Sequence, residues 1–239
     1  MTTPTLAVTS LDVYIQASHI LRDVSLEIGA REVVCLIGRN GAGKTTTLRT
    51  IMGYHRPRRG QVRFRGDAIH GRRTHEIARL GIGWAPEDSG IFSDLTVAEN
   101  IEISTWTRRT GRPAIERIER AYAVFPVLRR YAQRKGPQMS GGERKMLSIA
   151  RALALDPELL LLDEPFEGLS PAIIPSIAEG IAEIRALGRA ILMAESNIHH
   201  VPDFADRMYV LERGEIVFAG SPDAARRNAD VMRIIAGAA

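Results

Sequence analysis

Residues Gly38-Arg39-Asn40-Gly41-Ala42-Gly43-Lys44-Thr45 satisfy every fixed position of the spacing G-x-x-x-x-G-K-[ST], and they follow directly on an apolar run, Val33 to Ile37. Few local patterns constrain a chain as tightly. The glycines let the backbone curl until successive N–H groups converge, and the helix that follows adds the positive end of its dipole, so the loop is a cradle for phosphates. Lys44 is expected to reach the β- and γ-phosphates, Thr45 to place a hydroxyl on Mg²⁺, and the amides as far as Thr46 to close around the nucleotide. Residues 45–52 carry few helix breakers, so a helix can start where the phosphates sit. The local fold is therefore read as strand, loop, helix.

The rest of the composition narrows the class. A chain of 239 residues with 45% hydrophobic content suits one or two closely associated units with a real core. No apolar run approaches the roughly 18 to 20 residues of a membrane span, and residues 1–10 lack a basic segment followed by an apolar one, so the chain is expected in the cytosol. Cys35 is the one cysteine, which excludes an internal disulfide, and its place in an apolar strand reads as packing. The net charge of +4 is modest. The Arg-rich stretches 56–65 and 129–134 are broken by turns and lack aromatic residues for stacking on bases, so they read as solvated surface and no nucleic acid is expected.

Strands are expected at 6–14, 24–28, 32–37 and 61–65, forming a mixed sheet with antiparallel edges. Between about Glu87 and Leu155 the pattern turns helical, with a capping box at Thr96 and Glu99 and apolar residues at Ile115, Ile118 and Tyr122. Two strands apolar almost throughout, 159–162 and 190–194, are separated by a helix expected to open at Ser170-Pro171 and close near Gly188. The tail reads as a hairpin about Gly214, strands 208–211 and 216–219, and a helix starting at Ser221-Pro222. There is no internal repeat.

Leu159-Leu160-Leu161-Leu162-Asp163-Glu164 is a buried strand that ends in two acids, at the carboxyl end where open α/β sheets hold ligands. Asp163 is expected to hold Mg²⁺ and Glu164 to orient and polarise the water that attacks the γ-phosphate; an ordinary helix cap is the alternative for such a pair standing alone. Ser140-Gly141-Gly142-Glu143 is a capping box with two glycines in the helix's first turn, whose bare amides form an anion site. Because the phosphate loop already serves the chain's own nucleotide, this second site reads either as a cradle for another molecule's γ-phosphate, in a dimer with nucleotide sandwiched between chains, or as a plain capped helix.

The order of these motifs along the whole chain resembles the ATP-binding cassette ATPases of membrane transporters. The resemblance implies an α/β fold of the phosphate-loop NTPase class in a single cassette over 1–239: a mixed-sheet core with an antiparallel β subdomain in 1–86 and 156–239, and an inserted helical subdomain in 87–155. It implies ATP and Mg²⁺ as ligands. Carried over by position, Tyr14 matches the aromatic that stacks on adenine, Glu87 stands where most cassettes carry a glutamine that senses Mg²⁺, and Ser170 where most carry an aspartate. Ala85-Pro86-Glu87, Ile91-Phe92, Leu95-Thr96-Val97, Glu99-Asn100, Met146-Leu147 and Gly168-Leu169-Ser170-Pro171 resemble one branch, the second ATPase of branched-chain amino-acid importers. That branch implies a sister ATPase in a heterodimer, two permease chains, an external solute-binding protein, and a peripheral place on the cytoplasmic face of the membrane. Ser196 departs from the histidine of most cassettes and from the glutamine of this branch, so hydrolysis is expected to be slow or to lean on Glu164. His199 and His200, one turn on, are expected at the surface. Lipid-export ATPases, soluble cassettes acting on DNA or ribosomes, and a cassette that hardly turns over are the rival readings.

Overall fold

The computed structural model describes residues 3–237. β1 (Leu6–Ile15) and β2 (Ser18–Ile28) form an antiparallel hairpin, and β3 (Val33–Ile37) leads into α1 (Lys44–Ile51). β4 (Arg59–Phe64), the short β5 (Asp67–Ala68), α2 (Thr74–Leu80) and β6 (Ile82–Ala85) follow. Then come four helices, α3 (Val97–Thr105), α4 (Ala114–Val124), α5 (Pro126–Arg130) and α6 (Gly141–Ala154). The last third alternates β7 (Leu159–Asp163), α7 (Ile174–Ala186) and β8 (Ala190–Glu195), and closes with β9 (Arg207–Glu212), β10 (Glu215–Gly220), α8 (Pro222–Arg227) and α9 (Ala229–Ala236).

A six-stranded sheet in the order β10-β9-β3-β8-β7-β6 is parallel except for β10, and β2-β1-β4-β5 make a separate antiparallel sheet. Parallel strands covered on both faces read as unbroken apolar runs. The pleat then sorts each run by parity between two cores. Cys35, Leu160, Leu162, Ile191 and Met193 join a core filled by α3 to α9, whereas Val34, Leu36, Leu159, Leu161 and Leu192 join one filled by α1, α2 and the antiparallel sheet. Burial pushes the Cys35 thiol up to about 12, so it packs and stays unreactive.

The carboxyl ends of the parallel strands carry the phosphate loop and the two acids. At the opposite end of β7 an arginine-carboxylate knot ties the layers together. Asp156 Oδ1 accepts from Arg112 Nη1 and Arg189 Nη2, both at 2.6 Å, and Glu158 Oε1 accepts from Arg65 Nη1 and Arg108 Nη2, both at 2.9 Å. These arginines stand after β4, after α3, before α4 and before β8.

Several local expectations shift. β2 starts at Ser18 because the hairpin turns in two residues, with Gln16 at φ 53°, and no glycine marks the turn. Glu32 lies outside β3: its Oε2 accepts the Gly29 N–H and its Oε1 pairs with Arg207. α7 opens at Ile174 and not at Ser170, because a helix begun at Ser170 would put Pro175 in its interior, where the ring loses a hydrogen bond and strikes a carbonyl; here Pro175 sits in the first turn. Ile115 points to solvent, and Arg117 takes the buried place on α4 with its Nη2 on the Thr105 carbonyl at 2.7 Å. α2, β6 and α9 have no counterpart in the sequence reading.

Candidate active site

The loop Gly38–Gly43 needs left-handed backbone twice, at Gly41 (φ 83°) and Gly43 (φ 113°), and at Gly43 an added Cβ would also press on the Leu21 side chain at 2.7 Å. Glycine at these points lets α1 begin at Lys44. Lys44 Nζ is buried, donating to the Gly38 carbonyl at 2.6 Å and the Arg39 carbonyl at 3.2 Å, and it pairs with Glu164 Oε1 at 3.0 Å. Thr45 Oγ1 donates to Asp163 Oδ1 at 3.1 Å, joining the start of α1 to the end of β7. A cleft of about 450 Å³ opens over Asn40, Gly41, Gly43, Lys44, Thr45 and Thr46, with Glu87, Glu164 and Glu167 on its far side. Arg39 is exposed beside it and Ala42 is buried beneath it.

Burial pushes the Asp163 carboxyl up to about 6, against the Thr45 hydrogen bond and with help from Glu87 and Glu164. Its Oδ2 is buried without a partner among the described residues. Glu164 leaves the strand at φ 48° and its N–H donates to the Ala194 carbonyl at 2.9 Å. Its Oε2 accepts both the Ser196 N–H at 3.0 Å and the Ser196 hydroxyl at 3.1 Å. The short side chain at 196 thus faces Glu164 from within the same chain.

The structure gathers the phosphate loop with Lys44 to Thr46, Glu87, Asp163, Glu164 and Ser196 about one cleft, and leaves Tyr14 and the Ser140–Glu143 turn apart from it. Tyr14 stacks on His19, ring centroids 4.1 Å apart and planes nearly parallel, with the Arg58 guanidinium 5.1 Å from its centroid. A base stacking there would share the ring with both. Ser140 caps α6 as expected, with Glu143 N–H on Ser140 Oγ at 3.3 Å and Ser140 N–H on Glu143 Oε2 at 2.7 Å. The two glycines between them are not alike. Gly141 is open, whereas a Cβ on Gly142 would meet Ile173 Cγ2 at 2.6 Å, so only the first leaves its surroundings bare. Gly142→Ala is accordingly expected to cost about 1–3 kcal/mol through overpacking, read as a lower Tm, while Gly141→Ala leaves the Tm of the nucleotide-free chain unchanged.

Two residues near the site, Lys145 and Glu195, escaped the sequence reading, and a third, His200, was expected elsewhere. Lys145 on α6 is buried and donates from Nζ to the Glu87 carbonyl at 2.7 Å, linking the capped helix to the segment after β6; burial holds its ammonium below the usual lysine range. Its signal was a charge at the inward spacing shared by Gly142, Met146 and Ile149. Glu195 is wholly buried at the end of β8, and His200, expected at the surface, turns back to put Nδ1 3.0 Å from Glu195 Oε2. Polarity hid both.

The family described as ABC transporter matches residues 21–167. The chain belongs to the ABC transporter family. Within it the chain is similar, at 43% identity over 204 residues and 85% of each protein, to the high-affinity branched-chain amino acid transport ATP-binding protein BraG of Pseudomonas aeruginosa. It is 38% identical, over 85% of this chain and 84% of the other, to the lipopolysaccharide export system ATP-binding protein LptB of Acidithiobacillus ferridurans. Among solved structures, an ATP-binding subunit of an ABC transporter superposes with a TM-score of 0.82 at 28% identity, over 95% of this chain and 94% of the other. A cassette in its ADP conformation reaches a TM-score of 0.87 at 24% identity over 99% and 100%, which speaks to fold alone. As an ABC transporter ATPase subunit, the chain takes ATP as its nucleotide. Among the described residues no helix is long and apolar enough to cross a membrane.

Proposed function

We propose that this ABC transporter ATPase drives an importer of branched-chain or related amino acids. The observation that carries the cargo is the 43% identity to BraG over 85% of both chains. In this reading the loop amides from Gly38 to Thr46 bind the phosphates and Tyr14 carries the adenine. Lys44, which pairs with Glu164 across the cleft, turns to the β- and γ-phosphates of bound ATP and leaves Glu164 to take the proton of the attacking water. Ser196 keeps that carboxylate in place with two donors.

The residues fit Mg²⁺: the unpartnered, buried Asp163 Oδ2 and the Thr45 hydroxyl beside it would hold the ion, with Glu87 at its rim. The ion would neutralise charge on the phosphates. Among the described residues no cluster of three or more His, Cys, Asp or Glu is placed to hold a metal by itself, which leaves the remaining ligands to phosphate oxygens and water.

The chain works in this proposal at the cytoplasmic face of the membrane, as one half of a cassette dimer with a sister ATPase, its Ser140–Glu143 turn completing the partner's nucleotide site. Two permease chains sit above it and a solute-binding protein acts on them from outside. The groove of about 620 Å³ between α1, β6 and α3, walled by Tyr54, Trp84, Ser104 and Arg151, is the surface proposed for a permease helix. A second reading, an ATPase for lipid export, draws on the 38% identity to LptB. Uptake of labelled leucine in cells lacking the gene separates them. Rescue by the natural chain and not by Glu164→Gln is expected; uptake that survives deletion would remove the cargo assignment.

A further inference from the structure

Glu195 ends β8 fully buried, and the steps above give it nothing to do. Both of its carboxyl oxygens are nevertheless in use. Oε1 accepts the Phe166 N–H at 3.1 Å, and Oε2 meets His200 Nδ1 at 3.0 Å. Phe166 is two residues past Glu164, on the turn that carries the chain away from β7. That turn is strained, since Glu164 sits in the left-handed region at φ 48° with a full side chain. Such a conformation persists only where its neighbours over-determine it. Here Glu164 N–H is held by the Ala194 carbonyl, Glu167 N–H by the Glu164 carbonyl, and Phe166 N–H by the side chain of Glu195.

His200 closes the clamp from the other end. It lies in the 3₁₀ turn Ile198–His200, where its ring also rests against Phe166, centroids 5.4 Å apart. One imidazole therefore touches both the acid and the residue whose amide the acid holds. Ser196, two residues before that turn, holds Glu164 directly by its amide and hydroxyl.

We infer that Glu195 and His200 are positioning residues for ATP hydrolysis: the chain His200–Glu195–Phe166 N–H fixes the strained turn on which Glu164 stands. The inference rests on the reading of Glu164 as the base. Protonation states agree with it. Burial, and after it the Glu164 carboxylate, push Glu195 up to about 8, and burial holds His200 below the usual imidazole range, so the pair is neutral at pH 7. A neutral acid here donates its O–H to Nδ1 and accepts the Phe166 N–H on its carbonyl oxygen, as a carboxamide would. Lys145 on α6 is the cation that faces Glu195, and Glu164 the neighbouring acid.

The test uses the purified full chain, with kcat and KM for ATP and the exchange rate of the Phe166 amide measured by NMR in each variant. Glu195→Gln is expected to keep kcat within about threefold, because glutamine reproduces both hydrogen bonds. Glu195→Ala and His200→Ala are expected to lower kcat by about tenfold or more at unchanged KM, and to speed Phe166 exchange by a similar factor; His200→Gln restores most of the loss through its amide oxygen. Full kcat in both alanine variants overturns the inference, as does a natural exchange rate at Phe166 in them. Glu164→Gln separates the two levels: if it hydrolyses ATP like the natural chain, the reading of Glu164 fails and takes this one with it, whereas an inactive Glu164→Gln beside fully active alanine variants removes the positioning role alone.

Discussion

Glu164→Gln is expected to lower the turnover of ATP by a factor of about 100 to 10,000 while leaving ATP binding intact, the range that loss of a positioned proton acceptor produces. The groups proposed to bind ATP are elsewhere, in the loop amides, Lys44 and Thr45. Glutamine fits the same space and its oxygen can still accept from Ser196, so the turn at φ 48° keeps its support. What it cannot do is take a proton. It also leaves the buried Lys44 ammonium without its counter-ion at 3.0 Å, so the nucleotide-free chain should lose stability and regain it on adding ATP. Phosphate release gives kcat, a nucleotide titration gives Kd, and thermal melts with and without ATP give the rest. A fall in kcat of less than threefold would move the base to another residue.

Asp163→Asn is expected to act in two opposite directions. Asp163 is about 1% exposed, has one oxygen without a partner, and titrates near 6 in the fold against an ordinary value of 3.8. A carboxyl whose folded value is raised binds its proton more tightly in the native state, so the stability it lends is whole below about 3.8 and drains away as pH rises through about 6. At pH 8 the charge is a burden on the order of 1–3 kcal/mol, which asparagine removes. The nucleotide-free variant should therefore melt higher at pH 8 and show a flatter profile between pH 4 and 7. The same change should erase the gain in ATP affinity that Mg²⁺ brings to the natural chain. A variant that melts no higher at pH 8 would contradict the buried-charge account, and one that keeps the Mg²⁺ effect would contradict the proposed ligand.

What the sequence made legible was whatever is encoded locally. The phosphate loop declares itself by spacing, the capping boxes at Thr96 and Ser140 by residues three apart, and β7 and β8 by apolar runs that only doubly buried strands sustain. The contacts that decide the site are not local. Glu195 reads as a polar residue at the end of a strand and His200 as a surface histidine one turn on, and only the fold brings them behind Phe166, about thirty residues earlier in the chain. Lys145 looks like a solvated charge until α6 packs it inward against the segment at Glu87. The start of α7 was misjudged because Ser170-Pro171 is a sound start signal and Pro175 is a stronger constraint. The solute is least legible of all, since in the proposed arrangement no residue of this chain touches it.

The knot at Asp156 and Glu158 gives β7 two unlike ends. Its beginning is bolted by four arginines to both sheets and to the helical layer, while its far end, five residues on, carries Asp163 into an open cleft. Five residues at roughly 3.3 Å each make an arm of about 16 Å. If the helices rock against the sheet about that bolt, a tilt of about 10° carries the helical layer roughly 3 Å past the sheet at the level of the cleft, and almost not at all at the bolt itself. Molecules of this design would then act as levers whose fulcrum is ionic, and raising the salt concentration, which screens such pairs, would loosen the fulcrum before it touched the catalytic groups.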